Sequence, residues 1–162
     1  MNIIGVDPGL NVTGLGVLEI RGKKLSPVFY DYIKTKASDP LTDRLKVIMD
    51  GVNSVIETYK PQFAAVEDIF YSVNIKSAIL LGHTRGAIIG AIIAKNIKVM
   101  EFTALQIKKS VVGYGKADKN QVKRLVELHL GLNLGNLKYD VSDALACALC
   151  LGLNLTGSYV DL

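Results

Sequence analysis

Three apolar-rich extended runs follow one another at the start of the chain with only turns between them, and each later run is separated from the next by a long amphipathic stretch. Strands joined by tight turns pair antiparallel, whereas a strand reached through a helix can lie parallel to its neighbour by a right-handed crossover. The first run, Ile3 to Asp7, ends at Pro8-Gly9-Leu10-Asn11. The second covers Thr13 to Ile20 and turns at Arg21-Gly22-Lys23; the third lies around Val28 to Ile33. Asp39-Pro40 offers a cap and a proline at the first helical position, and Leu41, Leu45, Ile48, Val52, Val55, Ile56 and Tyr59 follow at helical spacing until Pro61. A fourth strand from Phe63 to Glu67, a helix from Ser77 to Lys95 and a fifth strand from Lys98 to Phe102 complete an α/β pattern with a mixed sheet.

Beyond the fifth strand, Thr103 is placed to cap a short helix through Val111, which Gly113-Tyr114-Gly115-Lys116 breaks. Asp118 or Lys119 opens a helix to Leu130, Gly131 to Tyr139 reads as loop, and a last helix spans about Val141 to Leu151. Residues 153–162 are expected to be a loose tail. At 162 residues, 49% of them hydrophobic, the chain suits one compact domain with a proper core. Its longest nearly uncharged apolar stretch, Gly86 to Ala94, falls well short of the roughly 20 residues a bilayer span needs. With no basic segment leading into an apolar one at the N-terminus, a cytoplasmic protein is expected.

Net charge is +4, but it is unevenly spread: between Gln106 and Arg124, Lys108, Lys109, Lys116, Lys119, Lys123 and Arg124 face one acid, Asp118. Such a cluster suits a polyanion, because lysine and arginine on phosphates supply most sequence-independent nucleic-acid affinity; it also suits a solvated helix face. Cys147 and Cys150 form a C-x-x-C inside Ala144-Leu145-Ala146-Cys147-Ala148-Leu149-Cys150, where free cysteines behave as small buried hydrophobes, and no second pair completes a zinc site. His83 and His129 are lone and read as structural.

Chemistry is concentrated in four acids. Asp7 closes the first strand, Glu67 closes the fourth, and Asp140 and Asp143 stand a helical turn apart where the last helix is expected to begin. Ends of strands and helices are where α/β proteins present side chains to a ligand. Brought together, four carboxylates repel one another unless cations intervene, so the pattern suggests a metal site assembled from three distant segments. Taken singly, Asp7 can start a turn, Glu67 can be a surface acid, and Asp140 with Asp143 can be ordinary helix-start chemistry, an N-cap with an acid at the third position.

Five segments, in order and at natural spacing, resemble the RuvC family of bacterial Holliday junction resolvases, within the ribonuclease H-like superfamily. They are Gly5-Val6-Asp7-Pro8-Gly9, Val66-Glu67-Asp68-Ile69-Phe70, Leu81-Gly82-His83-Thr84-Arg85-Gly86, Val111 through Lys119, and Asp140-Val141-Ser142-Asp143-Ala144-Leu145-Ala146. The resemblance covers about residues 1 to 152. It implies a ribonuclease H-like fold with strand order 3-2-1-4-5, and Asp7, Glu67, Asp140 and Asp143 as catalytic carboxylates that bind two Mg²⁺ ions, with Mn²⁺ a possible substitute, or take a proton from the attacking water. It further implies metal-dependent hydrolysis of a four-way DNA junction by paired, symmetric nicks leaving 5′-phosphate and 3′-hydroxyl ends. Lys108 and Lys119 match basic residues that hold DNA near the scissile phosphate, with Lys116, Lys109 and Arg85 as further candidates. Phe70 matches an aromatic that stacks on unpaired bases at the junction centre, a role Tyr71 can share.

A four-way junction has approximate two-fold symmetry, so one site per chain implies a C2 homodimer. Gly82, Gly86, Gly90 and Ala94, four residues apart, form a small-residue stripe that would let another backbone approach and is the candidate for part of that interface. The resemblance also implies the branch-migration proteins RuvA and RuvB as partners. Three other readings compete. Asp7-Pro8-Gly9-Leu10-Asn11-Val12-Thr13-Gly14 resembles the first phosphate loop of actin-like ATPases, but the chain is too short for the duplicated domain of that class. A catalytically silent nucleic-acid-binding module of the same fold, or a nuclease that processes ribosomal RNA precursors, are the others.

Overall fold

The computed structural model describes residues 1–68 and 74–157. Its frame is one sheet in the order β3-β2-β1-β4-β5. Strands β1 (Asn2–Asp7), β2 (Val12–Arg21) and β3 (Lys24–Lys34) form the expected antiparallel meander, with Gly22 at a φ of 62° in the second turn. All three run longer than their apolar stretches, because ladder hydrogen bonds carry the pairing outward through polar residues such as Lys24 and Lys34. Helix α1 (Leu41–Tyr59) returns the chain so that β4 (Phe63–Glu67) lies parallel to β1, and α2 (Ile75–Ile93) does the same for β5 (Lys98–Phe102) beside β4.

The sheet divides the core in two. Ile4, Val6, Ala64 and Val66 face α1 and α2, packing with Ile48, Val52, Ile88 and Ile92. Ile3 and Ala65 point the other way, into the cluster held by α3 (Ala104–Val112), α4 (Lys119–Leu130) and α5 (Tyr139–Thr156). With a side-chain period of two, Asp7 and Glu67 therefore belong to the α5 face. Helix α5 can settle on that face because β1 and β2 present glycines to it. A Cβ on Gly5 would collide with the Ala144 carbonyl and Ala148, and one on Gly14 with the Asp140 backbone. Cys147 and Cys150 are buried and free in this helix, as their apolar surroundings predicted.

Several boundaries differ from expectation. Helix α1 is capped at Pro40 with no side-chain hydrogen bond, so Asp39 does not serve as its cap. Helix α2 begins two residues earlier than Ser77, where Asn74 accepts from the Ser77 N–H. Helix α5 starts at Tyr139 rather than Val141 and continues to Thr156, so residues 153–156 are helical rather than a loose tail. With Lys138 in the capping position, Asp140 and Asp143 are not an N-cap and third-position pair; they lie within the first two turns. Phe70 and Tyr71 lie outside the described residues. No helix of the described residues is long and apolar enough to cross a membrane.

Candidate active site

Because β1 and β4 are parallel neighbours paired through Val6 and Val66, the residue after each emerges at the same sheet edge and on the same face. That brings Asp7 beside Glu67. Helix α5 supplies Asp143 from above, and its Ala144 rests on Gly5 two residues before Asp7, so Asp143 is aimed at the strand ends. Asp7, Glu67 and Asp143 line a cavity of about 310 Å³, with Lys108 of α3 and Lys119 of α4 on its wall. Asp140 sits one turn earlier, half-buried, and its charge still reaches Asp7 and Asp143.

Both lysines are presented by well-ended helices. Thr103 and Gln106 form a reciprocal capping box at the start of α3, and Asp118 and Gln121 form another at the start of α4. Lys119 follows its cap directly, and its Nζ lies 3.3 Å from Asp143 Oδ2. Gly113, at a φ of 89°, closes α3 where the sequence predicted a break. Lys116 is exposed on the connection between the two helices.

Electrostatics mark the carboxylates as crowded. Burial pushes the Asp7 carboxyl well above its usual range, and Asp143, Glu67 and Asp140 push it further. Glu67 is raised by burial and by Asp143, against the pull of Lys119 and Lys108. Asp143 is raised by burial even though Lys119 opposes the shift. Asp143 most of all, and then Asp7 and Asp140, raise Lys119. Among the described residues no three His, Cys, Asp or Glu side chains stand close enough together to hold a metal ion as they are. The chemistry of the side chains still suits a hard divalent cation: the carboxylates of Asp7, Glu67 and Asp143 line one cavity, with Asp140 in electrostatic reach, and carry more negative charge than the ammonium groups of Lys108 and Lys119 neutralise.

The structure thus gathers Asp7, Glu67, Asp143, Lys108 and Lys119, with Asp140 in electrostatic reach. Arg85 is placed differently. It lies behind Glu67 with 15% of its side chain exposed, its Nε donating to the Glu67 carbonyl at 3.1 Å and its guanidinium paired with Glu101 and Asp68. Sequence reasoning missed Arg44. Its guanidinium is buried and donates to Thr35 Oγ1 at 2.9 Å, to Asn11 Oδ1 at 2.5 Å and to the Leu10 carbonyl at 3.1 Å, fastening the loop that follows Asp7. The available signal was a charged residue on the buried stripe of α1, four before Ile48 and eight before Val52.

Residues 3–151 match the family model described as crossover junction endodeoxyribonuclease RuvC. A relative of that name from Ralstonia pickettii is 47% identical over 150 residues, covering 93% of this chain and 82% of its own length. The structure of Thermus thermophilus RuvC superposes with a TM-score of 0.86 at 30% identity, covering 97% of both chains. The same protein in complex with Holliday junction substrate gives a TM-score of 0.91 at 29% identity, covering 98% of this chain and 97% of the other. The strand order, the carboxylates at the ends of β1 and β4 and on α5, and a match running nearly end to end lead to one conclusion: this chain belongs to the crossover junction endodeoxyribonuclease RuvC family.

Proposed function

We propose that the cavity at the ends of β1 and β4 is the nuclease site, and that the chain resolves four-way DNA junctions in the cytoplasm by paired, symmetric phosphodiester hydrolysis. The observation that carries this reading is the meeting of Asp7, Glu67 and Asp143 in one cavity with two lysines. Asp7, Glu67, Asp140 and Asp143 would hold Mg²⁺, two ions per site, or Mn²⁺ in its place. Bound there, such ions supply Lewis-acid activation of the phosphodiester and of the attacking water. Lys108 and Lys119 meet the charge of the scissile phosphate, so Lys119 exchanges its Asp143 contact for a phosphate oxygen. Freed of Lys119, Asp143 can take the proton of the attacking water. Inversion at phosphorus then releases a 5′-phosphate and a 3′-hydroxyl, ends suited to ligation. Lys116 extends the basic surface along the DNA backbone, and Phe70 is assigned to stacking on unpaired bases.

Two nicks on a two-fold substrate call for two sites, and we assign the second copy to the outer face of α2. Among the described residues, nothing outside the helix's own neighbouring turns lies within 4 Å of where a Cβ on Gly82, Gly86 or Gly90 would stand. Beside them Ile79 is 54% exposed, which leaves an apolar face available to a homodimer. RuvA and RuvB are the partners this reading implies.

A synthetic four-way junction, a matched duplex and single strands, each with Mg²⁺ or EDTA, provide the test. Paired nicks on the junction alone, absent with EDTA or in Asp7→Asn while binding persists, are expected. Tight junction binding without cleavage in any metal would favour the silent binding module instead, and preferential cutting of structured RNA would favour the ribosomal RNA nuclease.

A further inference from the structure

Glu67 is the last residue of β4, and its placement depends on what holds the backbone where the ladder stops. On one side the Asp68 N–H donates to the Phe102 carbonyl at 2.8 Å, tying the strand end to the end of β5. On the other, α2 sends Arg85 across to the Glu67 carbonyl, with a 3.1 Å hydrogen bond from Nε. The far end of the same guanidinium is paired with the Glu101 carboxylate on β5 and lies 3.5 Å from Asp68 Oδ1. One planar group therefore links α2, β4 and β5 at the point from which Glu67 enters the cavity. A guanidinium makes this three-way connection because its donors are fixed in a fork; a lysine ammonium cannot reproduce it.

We propose that Arg85 is a positioning residue that fixes Glu67 for the proposed hydrolysis, with Glu101 as its anchor, rather than a DNA-backbone contact; this rests on the cavity being the nuclease site. The geometry favours anchoring. Most of the Arg85 side chain is covered, and among the described residues the groups it meets are one backbone carbonyl and two carboxylates. Displacing a ligating carboxylate by about 1 Å can cost on the order of a hundredfold in rate, so a residue touching neither DNA nor metal can still govern turnover.

The test compares Arg85→Met, Arg85→Lys and Glu101→Gln with the parent chain in three measurements: junction Kd in EDTA, single-turnover cleavage in Mg²⁺, and the Mg²⁺ concentration that raises the Tm halfway. Anchoring predicts that both Arg85 variants hold junction Kd within about twofold, lose roughly tenfold or more in the cleavage step and need several-fold more Mg²⁺ for the Tm shift. Glu101→Gln should move cleavage and the Mg²⁺ requirement in the same direction, even though removing a negative charge favours DNA binding. If Arg85→Met instead weakens junction binding fivefold or more and Arg85→Lys restores it, Arg85 is a phosphate contact and the proposal fails. It fails equally if all three variants match the parent in cleavage and Mg²⁺ response. A parent chain that binds Mg²⁺ but cuts no junction would overturn the nuclease reading alone, since the Tm measurement still decides whether Arg85 sets the metal site.

Discussion

Helices α2 and α5 are built from similar material and end in opposite situations. Both are largely apolar, α2 in isoleucine, alanine and glycine and α5 in leucine and alanine, and both are about five turns long. In α5 every residue from Ala144 to Gly152 is buried, and its glycine, Gly152, is filled by Leu25 and Ile3 from the sheet. In α2 only Thr84, Ile88, Ala91 and Ile92 are buried, and three glycines face open space among the described residues. A helix apolar all round belongs in an interior, so α5 has found its interior within the chain and α2 has found half of one. The polar start of α5 is the exception that makes it useful: Asp140 and Asp143 emerge just before the buried run.

The contrast can be attacked at several points. The largest effect is expected at the acidic end of α5. Asp143→Asn should reduce junction cleavage on the order of a hundredfold or more, read in a single-turnover assay, because a metal-site carboxylate is lost. The same change should raise the stability of the metal-free protein by about 0.5–2 kcal/mol in urea titration, since it removes a charge that burial penalises and that repels Asp7 and Glu67, a penalty Lys119 only partly offsets. Next comes the seat of α5. Gly14→Ala should cost about 1–3 kcal/mol, because the new Cβ meets the Asp140 backbone and the helix must lift.

On α2, Gly86→Leu should do the reverse. With open space around that position, the folded chain is expected to gain up to about 1 kcal/mol of helix stability. Self-association should weaken by roughly tenfold or more, about 1.4 kcal/mol, in sedimentation equilibrium. An unchanged association constant would remove α2 from the interface. The smallest effect concerns pH. Asp7, Glu67 and Asp143 all have raised folded values, so their contribution to stability is fully present below the ordinary carboxylate range and is lost as pH rises through the raised values. Metal-free Tm should therefore drop over that interval, and Asp7→Asn should shrink the drop.

Much of this was legible in the chain. The change from turns to helical connections gave the meander and the two parallel strands, and Asp7 and Glu67 were found because each terminates an apolar run before a turn or loop. Strand and helix ends were less legible. Pairing through the ladder carried β3 out to Lys24 and Lys34, and tertiary packing extended α5 through Asn154 and Thr156, residues that local propensity reads as loop. Arg85 shows the limit most clearly. The family resemblance made Arg85 a candidate DNA contact, and only the crossing of α2 behind β4 shows that its fork closes on the Glu67 carbonyl, Asp68 and Glu101. The face of α2 was legible as a small-residue stripe, while the open space beside it among the described residues was not.

The two strand ends that carry Asp7 and Glu67 are fastened in electrically different ways. Arg44 holds the loop after Asp7 through neutral oxygens of Leu10, Asn11 and Thr35, inside the protein. Arg85 holds Glu67 partly through Asp68 and Glu101, whose side chains are 50% and 53% exposed. Dissolved ions screen the second attachment and leave the first untouched, since hydrogen bonds to neutral, buried partners carry no long-range charge to shield. Raising ionic strength should then loosen Glu67 while Asp7 stays fixed. Part of the inhibition by concentrated electrolyte would arise inside the site, in addition to the weaker hold on DNA.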